Sequence, residues 1–342
     1  MKRMILSLVA AIVAATATYA QSSMLATLSH EGKISTYYGA TALREAYNAA
    51  TNGDIITLSS GSFVAVNIKK ALTIRGAGMQ VDTVAKTYPT IIAGNFSINI
   101  PDSIEQRLTM EGLYNNFTIT VKGSLKNASF LKDRFNAINP ENSSSTRMKN
   151  LTFIHCKVSG NLFLPNESSA SCVNCYICEP SCNSATSSNF EFSNSIITSQ
   201  YTSRIKSSSF TNCFIRNHSN WNGSDSDTYL PASNTAFYCL GKNNGTSMFA
   251  NIPNTTNMIL TGALNTAFKT YTGTYNDNET FELTDAAKTQ YLGSDRTEVG
   301  IYGGSLPFDP TPTNPQITKC NVASKSTADG KLSVDIEVSA AE

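Results

Sequence analysis

Charge is scarce in this sequence: 15% of its 342 residues are Asp, Glu, Lys or Arg, and the formal net charge is +1. A soluble domain usually carries about a quarter. No run of Lys or Arg offers the clustered cations that phosphate backbones require, so nucleic acid is not an expected partner. There is a single tryptophan, Trp221. Beyond the N-terminus no apolar stretch approaches the length of about 20 residues that crosses a bilayer, so no transmembrane segment is expected. Ser, Thr and Asn fill the gap, at about a third of the chain. With 41% hydrophobic residues the chain is not of the disordered class. Length alone suggests about two domains, but the internal repeats override that count.

The two ends read differently from the middle. Lys2 and Arg3, the apolar run Met4 to Ala15, and Thr18-Tyr19-Ala20 form the pattern of a secretory signal over residues 1–20. Export to the periplasm, cell surface or medium is the expected localisation. Pro307, Pro310, Pro312 and Pro315 crowd a short stretch near the other end, which is linker chemistry because proline cannot donate to a sheet ladder. Beyond it Leu332, Val334, Ile336 and Val338 alternate with polar residues at strand period, with Ile317 to Val322 as partner across Asp329-Gly330. The expected division is a signal at 1–20, one β domain at 21–310, and a Pro-rich linker with a terminal hairpin at 311–342.

The middle carries an eleven-residue pattern, apolar-Lys-Asn-apolar-x-Phe-x-Asn-Cys-x-apolar. Its instances are Leu125 to Phe135, Met148 to Val158, Glu167 to Ile177, Ser187 to Ile197 and Ile205 to Ile215. Their central residues Phe130, Phe153, Cys172, Phe192 and Phe210 are 18 to 23 residues apart. A period near 20 with two short strand-like pieces is the mark of a solenoid. Each unit runs strand, tight turn, strand: Leu151 and Phe153 inward, Ile154-His155 at the turn, Cys156 and Val158 inward, Thr152 and Lys157 outward. Asn174, Asn194 and Asn212 recur at the turn, where a left-handed backbone suits Asn. Stacked rungs then give three columns of like residues: the central residues; Phe135, Val158, Ile177, Ile197, Ile215; and Asp133, Cys156, Cys175, Ser195, Cys213.

Together with Gly53-Asp54-Ile55-Ile56-Thr57-Leu58, Leu72-Thr73-Ile74-Arg75-Gly76 and Gly293 to Gly304, this repeat resembles secreted bacterial right-handed parallel β-helix proteins of the pectate-lyase-like superfamily, over roughly residues 37 to 308. The resemblance implies an all-β fold, a right-handed parallel β-helix, with an N-terminal helical cap. Leu43, Ala46, Tyr47 and Ala50 supply the helical stripe and Asn52-Gly53 the stop. The cap meets a physical need, because an open solenoid end exposes unpaired strand edges.

Cys172, Cys175, Cys178 and Cys182 have the C-x2-C-x2-C-x3-C spacing of an iron–sulfur ligand run. Export, Asn183 in place of the usual proline, and the repeat itself argue against a cluster, since Cys172 and Cys175 are already rung residues. No cofactor or metal is expected, and Cys178 with Cys182 can form a local disulfide in an oxidising compartment.

Glycan-cleaving members of the superfamily use paired carboxylates, or a base beside cation-binding acids. Here the repeat region has no Asp-Asp or Asp-x-Asp pair. Arg204-Ile205-Lys206 matches a tripeptide of the polygalacturonase-like members, whose other motifs are missing. The expected function is therefore non-catalytic interaction with a polysaccharide or cell-surface glycan. The rivals are a lyase or hydrolase with Asp133, Arg134 and His155 as catalytic candidates, and a structural or adhesive protein. Arg216, His218 and Trp221, on a loop after the last clear repeat, are the candidate carbohydrate-binding patch. Asp133 stands out, since a carboxylate in a thiol column must be paired by Arg134 or Lys132 or must cap backbone donors.

Overall fold

A computed structural model describes residues 24–81, 87–183, 188–218, 225, 228–244, 248–252, 254–314, 316–322, 325 and 329–339. The expected signal at 1–20 and Trp221 lie outside them. The described chain is a parallel β-solenoid of about nine turns. Nine parallel strands, from Ile55–Leu58 to Thr235–Phe237, stack into one face, and a second long sheet runs from Gly61–Val64 to Met258–Ile259.

The register follows the repeat. Phe130 pairs with Phe153, Phe153 with Cys172, Cys172 with Phe192, and Phe192 with Phe210. The rings stack along the axis, with centroids 4.8 Å apart for Phe130 and Phe153 and 5.0 Å for Phe192 and Phe210. Across the lumen Phe135, Val158, Ile177, Ile197 and Ile215 form the opposing column. Each is buried, and burying one such side chain stabilises by about 1.5–3 kcal/mol.

Between the two sheets the chain turns in one residue. Lys132, His155, Asn174, Asn194, Asn212 and Tyr238 all have φ between 45° and 55°. This left-handed step is what lets two strands meet at a sharp corner. The next residue carries a buried N–H that the adjacent strand geometry cannot satisfy, and the third column supplies the acceptors. Leu113 N–H donates to Asp133 Oδ1 at 2.8 Å, Cys156 N–H to Cys175 Sγ at 3.3 Å, and Cys175 N–H to Ser195 Oγ at 3.1 Å. The thiols and hydroxyl donate in turn to carbonyls such as Phe130 O and Cys172 O. Cys, Ser and Asp thus share one column because each fits a small space and accepts one bond.

The N-terminal end is closed twice. The helix Ala42–Ala49 buries Leu43, Ala46 and Tyr47 over the lumen, and Lys70 Nζ caps its last carbonyls, at 2.7 Å from both Tyr47 O and Ala50 O. The strands Leu25–His30 and Lys33–Tyr38 form a hairpin that pairs antiparallel with Ile55–Leu58 and covers the sheet edge.

The C-terminal third wraps the outside of the wall. Outward residues of the second sheet, Tyr176, Ile196, Phe214 and Leu240, are buried beneath Phe268, Tyr271, Phe281, Val299 and Ile301, making a second hydrophobic cluster. From Gly293 the chain then runs back along the corner, rung by rung. Ser294 N–H donates to Asn212 Oδ1; Asn174 Nδ2 donates to Ile301 O and Gly303 O, both at 2.8 Å; His155 Nε2 lies 3.1 Å from Leu306 O; and Lys132 Nζ bridges Asp309 Oδ2 at 3.2 Å and Thr311 O. Thr313 bonds Glu111, and Asn314 Nδ2 donates to Gly76 O. The prolines expected in a linker therefore lie, up to Asn314, in a docked strap. Beyond it Gln316–Val322 and Val334–Ser339 pair as an antiparallel hairpin. Among the described residues no helix is long and apolar enough to cross a membrane.

Candidate functional site

The solenoid wall and the C-terminal wrap enclose a cleft of about 550 Å³. Its floor is an outward column of the second sheet in which Tyr114 pairs with Arg134 and Arg134 with Lys157. Strand alternation turns these three to the outer face while Phe135 and Val158 point to the lumen. Asp277, Asn278, Glu279 and Thr280 form one wall; Tyr302, Phe308 and Pro310 of the strap form another.

Arg134 is buried, stacks over the Tyr114 ring at 4.2 Å and ion-pairs through Nη2 with the exposed Asp277. Lys157 is 3% exposed. Its ammonium donates to Glu279 O at 3.0 Å and Gln80 Oε1 at 3.4 Å and lies 5.5 Å from the Phe308 ring centroid. Among the described residues no carboxylate is within ion-pair distance of it. The Glu279 carboxylate is turned away, accepting from Thr270 and from Phe281 N–H. Burial, then the neighbouring Arg134 charge, pushes the Lys157 pKa down to about 8. The cleft therefore sets two buried cations beside two acids, of which Asp277 is solvent-exposed and ion-paired with Arg134 and Glu279 is buried and hydrogen-bonded to Thr270 and the Phe281 N–H, with aromatic rings around them. Such a site attracts an anionic group and offers faces on which a sugar ring can stack.

The sequence candidates separate. Asp133 lies inside the wall as a corner acceptor, paired with neither Arg134 nor Lys132 but capping the Leu113 N–H, and burial holds its carboxyl well above the usual range. It cannot meet a substrate outside. His155 is a turn residue roofed by Leu306 and Phe308, and burial lowers its pKa. Only Arg134 of that trio reaches the cleft. Arg216 is fully buried, with Nε 2.9 Å from Asp225 Oδ1 and Nη1 2.7 Å from Gly273 O. Gly273 has φ +116° and a Cβ there would fall 2.8 Å from the guanidinium, so glycine is what seats the arginine. His218 is 5% exposed, with Nε2 3.7 Å from Glu179 Oε1. Arg216 thus anchors the wrap at Gly273, while His218 is enclosed beside Glu179 of the solenoid.

The sulfur-rich run is likewise divided. Cys172, Cys175 and Cys182 belong to the lumen cluster and Cys178 to the outer one, so Cys178 and Cys182 lie on opposite sides of the wall and are free thiols. That arrangement corrects the expected disulfide. Among the described residues no group of three or more His, Cys, Asp or Glu side chains gathers as a metal site.

Lys157, Tyr114, Asp277, Glu279 and Tyr302 were not singled out by sequence. The signal for the first was present, because the register that sets Phe135 opposite Val158 also sets Arg134 beside Lys157. The wall from Asp277 to Thr280 has no periodicity to read.

Compared with known proteins, the chain has no match among protein-family models, curated proteins or solved structures.

Proposed function

We propose that this chain is an exported solenoid that binds an acidic glycan of the cell envelope or its surroundings in the cleft, without cleaving it. One observation carries the reading: Arg134 and Lys157, side by side on neighbouring rungs, are buried, Arg134 with the exposed Asp277 as its counter-ion and Lys157 with no carboxylate within ion-pair distance among the described residues. A buried cation lacking a partner is costly, and an arriving carboxylate or sulfate removes that cost. The resemblance to the pectate-lyase-like superfamily supports a glycan partner, and the signal-like N-terminus supports export.

Binding is favoured over hydrolysis because both acids of the cleft are already engaged. Asp277 is tied to Arg134 and Glu279 to the backbone, which leaves no pair to protonate a leaving oxygen and activate water. Titration calorimetry against acidic and neutral oligosaccharides, with a parallel assay for new reducing or unsaturated ends, tests both parts. Acidic ligands should bind, should weaken at least tenfold in Arg134→Gln and with added salt, and should remain intact. Equal affinity for neutral glycans, or product formation that depends on Arg134, would overturn the reading.

A further inference from the structure

Resting on that cleft reading, the geometry points to a more specific chemistry: we propose that Lys157 forms an imine with the carbonyl carbon of a ligand whose adjacent carboxylate is held by Arg134. The ligand class is a sugar acid or smaller acid bearing a free aldehyde or ketone next to its carboxylate.

Three observations place it. Arg134 and Lys157 are direct register partners on adjacent parallel strands, so their backbones are about 4.8 Å apart. That separation suits two neighbouring functional groups of one small molecule. The Lys157 nitrogen is held by neutral acceptors, Glu279 O and Gln80 Oε1, and not by a carboxylate that would fix its charge. Arg134 is anchored from the far side by the Tyr114 ring, while its counter-ion Asp277 is 60% exposed and can yield to another carboxylate.

With its pKa at about 8, roughly a tenth of the Lys157 amine is neutral at pH 7, against about one part in several thousand for an ordinary lysine. Burial thus supplies the nucleophile. The nitrogen lone pair attacks the carbonyl carbon and gives a carbinolamine. The oxygen then leaves as water with the two protons of the amine, so amine plus carbonyl yields imine plus water, without oxidant or reductant.

Glyoxylate, the smallest carboxylate-bearing aldehyde, is the probe, trapped by cyanoborohydride and located by peptide mass spectrometry. Lys157 should gain a carboxymethyl group at least tenfold faster than the exposed Lys331. Arg134→Gln should slow that labelling about tenfold, Arg134→Lys should largely restore it, and glycolaldehyde, which has no carboxylate, should be indifferent to both. Melting curves of both variants check that the wall is intact. Pyruvate in place of glyoxylate distinguishes a ketone from an aldehyde source, and trapping of either supports the proposal. Labelling spread over the lysines according to exposure, or an equal effect of Arg134→Gln on both aldehydes, overturns it. If acidic oligosaccharides bind while neither probe is trapped, the imine falls and the binding site stands.

Discussion

Asp133 shows how one residue type can be read two ways. As a carboxylate it looks catalytic; as a neutral acid it is an acceptor for Leu113 N–H in a column of thiols and hydroxyls. Its folded pKa is raised, so its contribution to stability is complete below the ordinary value of 3.8 and is lost as pH rises toward the folded value. Asp133→Asn keeps an acceptor that cannot ionise and should be more stable than wild type at pH 8 but not at pH 3.5. Asp133→Ala should lose about 1–3 kcal/mol by orphaning the amide; denaturant melts at the two pH values check both. Lys157 has the opposite shift. Its folded pKa is lowered, so stability is full above 10.5 and is lost as pH falls to about 8, a cost on the order of 3 kcal/mol at pH 7. Lys157→Met should therefore be more stable than wild type at pH 7 by about 1–3 kcal/mol, with the advantage fading toward pH 10.5.

The rung was legible as an element because its period is written in side chains. Alternation assigned inward and outward residues, and the recurring Asn174, Asn194 and Asn212 marked the corner where φ turns positive. Phe192→Ala should cost about 3–5 kcal/mol by opening a cavity in the ring stack, whereas outward Thr152→Ala should change stability by no more than about 0.5 kcal/mol. The strap was read only in part. Gly293 to Gly304 is among the stretches that carry the β-helix resemblance, but its continuation through the prolines depends on backbone acceptors, which no side-chain pattern reveals. Asn174→Ala removes two bonds to the strap at once. It should speed hydrogen exchange at the Gly303 and Phe308 amides while leaving the lumen amides protected.

For the whole molecule, the outer layer is where sequence reasoning stopped short. A wall strand facing solvent should alternate, yet Tyr176-Ile177, Ile196-Ile197 and Phe214-Ile215 are apolar on both faces, the pattern of strands covered twice. That signal announces a second layer without saying which residues supply it. The covering chain from Leu260 to Phe308 is irregular, and its place follows from contacts over long separations. The cleft forms where this layer meets the Tyr114–Arg134–Lys157 column, with residues 277–280 on one side and Tyr302 and Phe308 on another, so fold and site have one origin. The most direct measurement is a crystal structure of the protein soaked with an acidic oligosaccharide. The account predicts the anionic group between the Arg134 guanidinium and the Lys157 ammonium, with a sugar ring against Tyr114 or Tyr302; a ligand bound elsewhere on the wall, with the cleft empty, would contradict it.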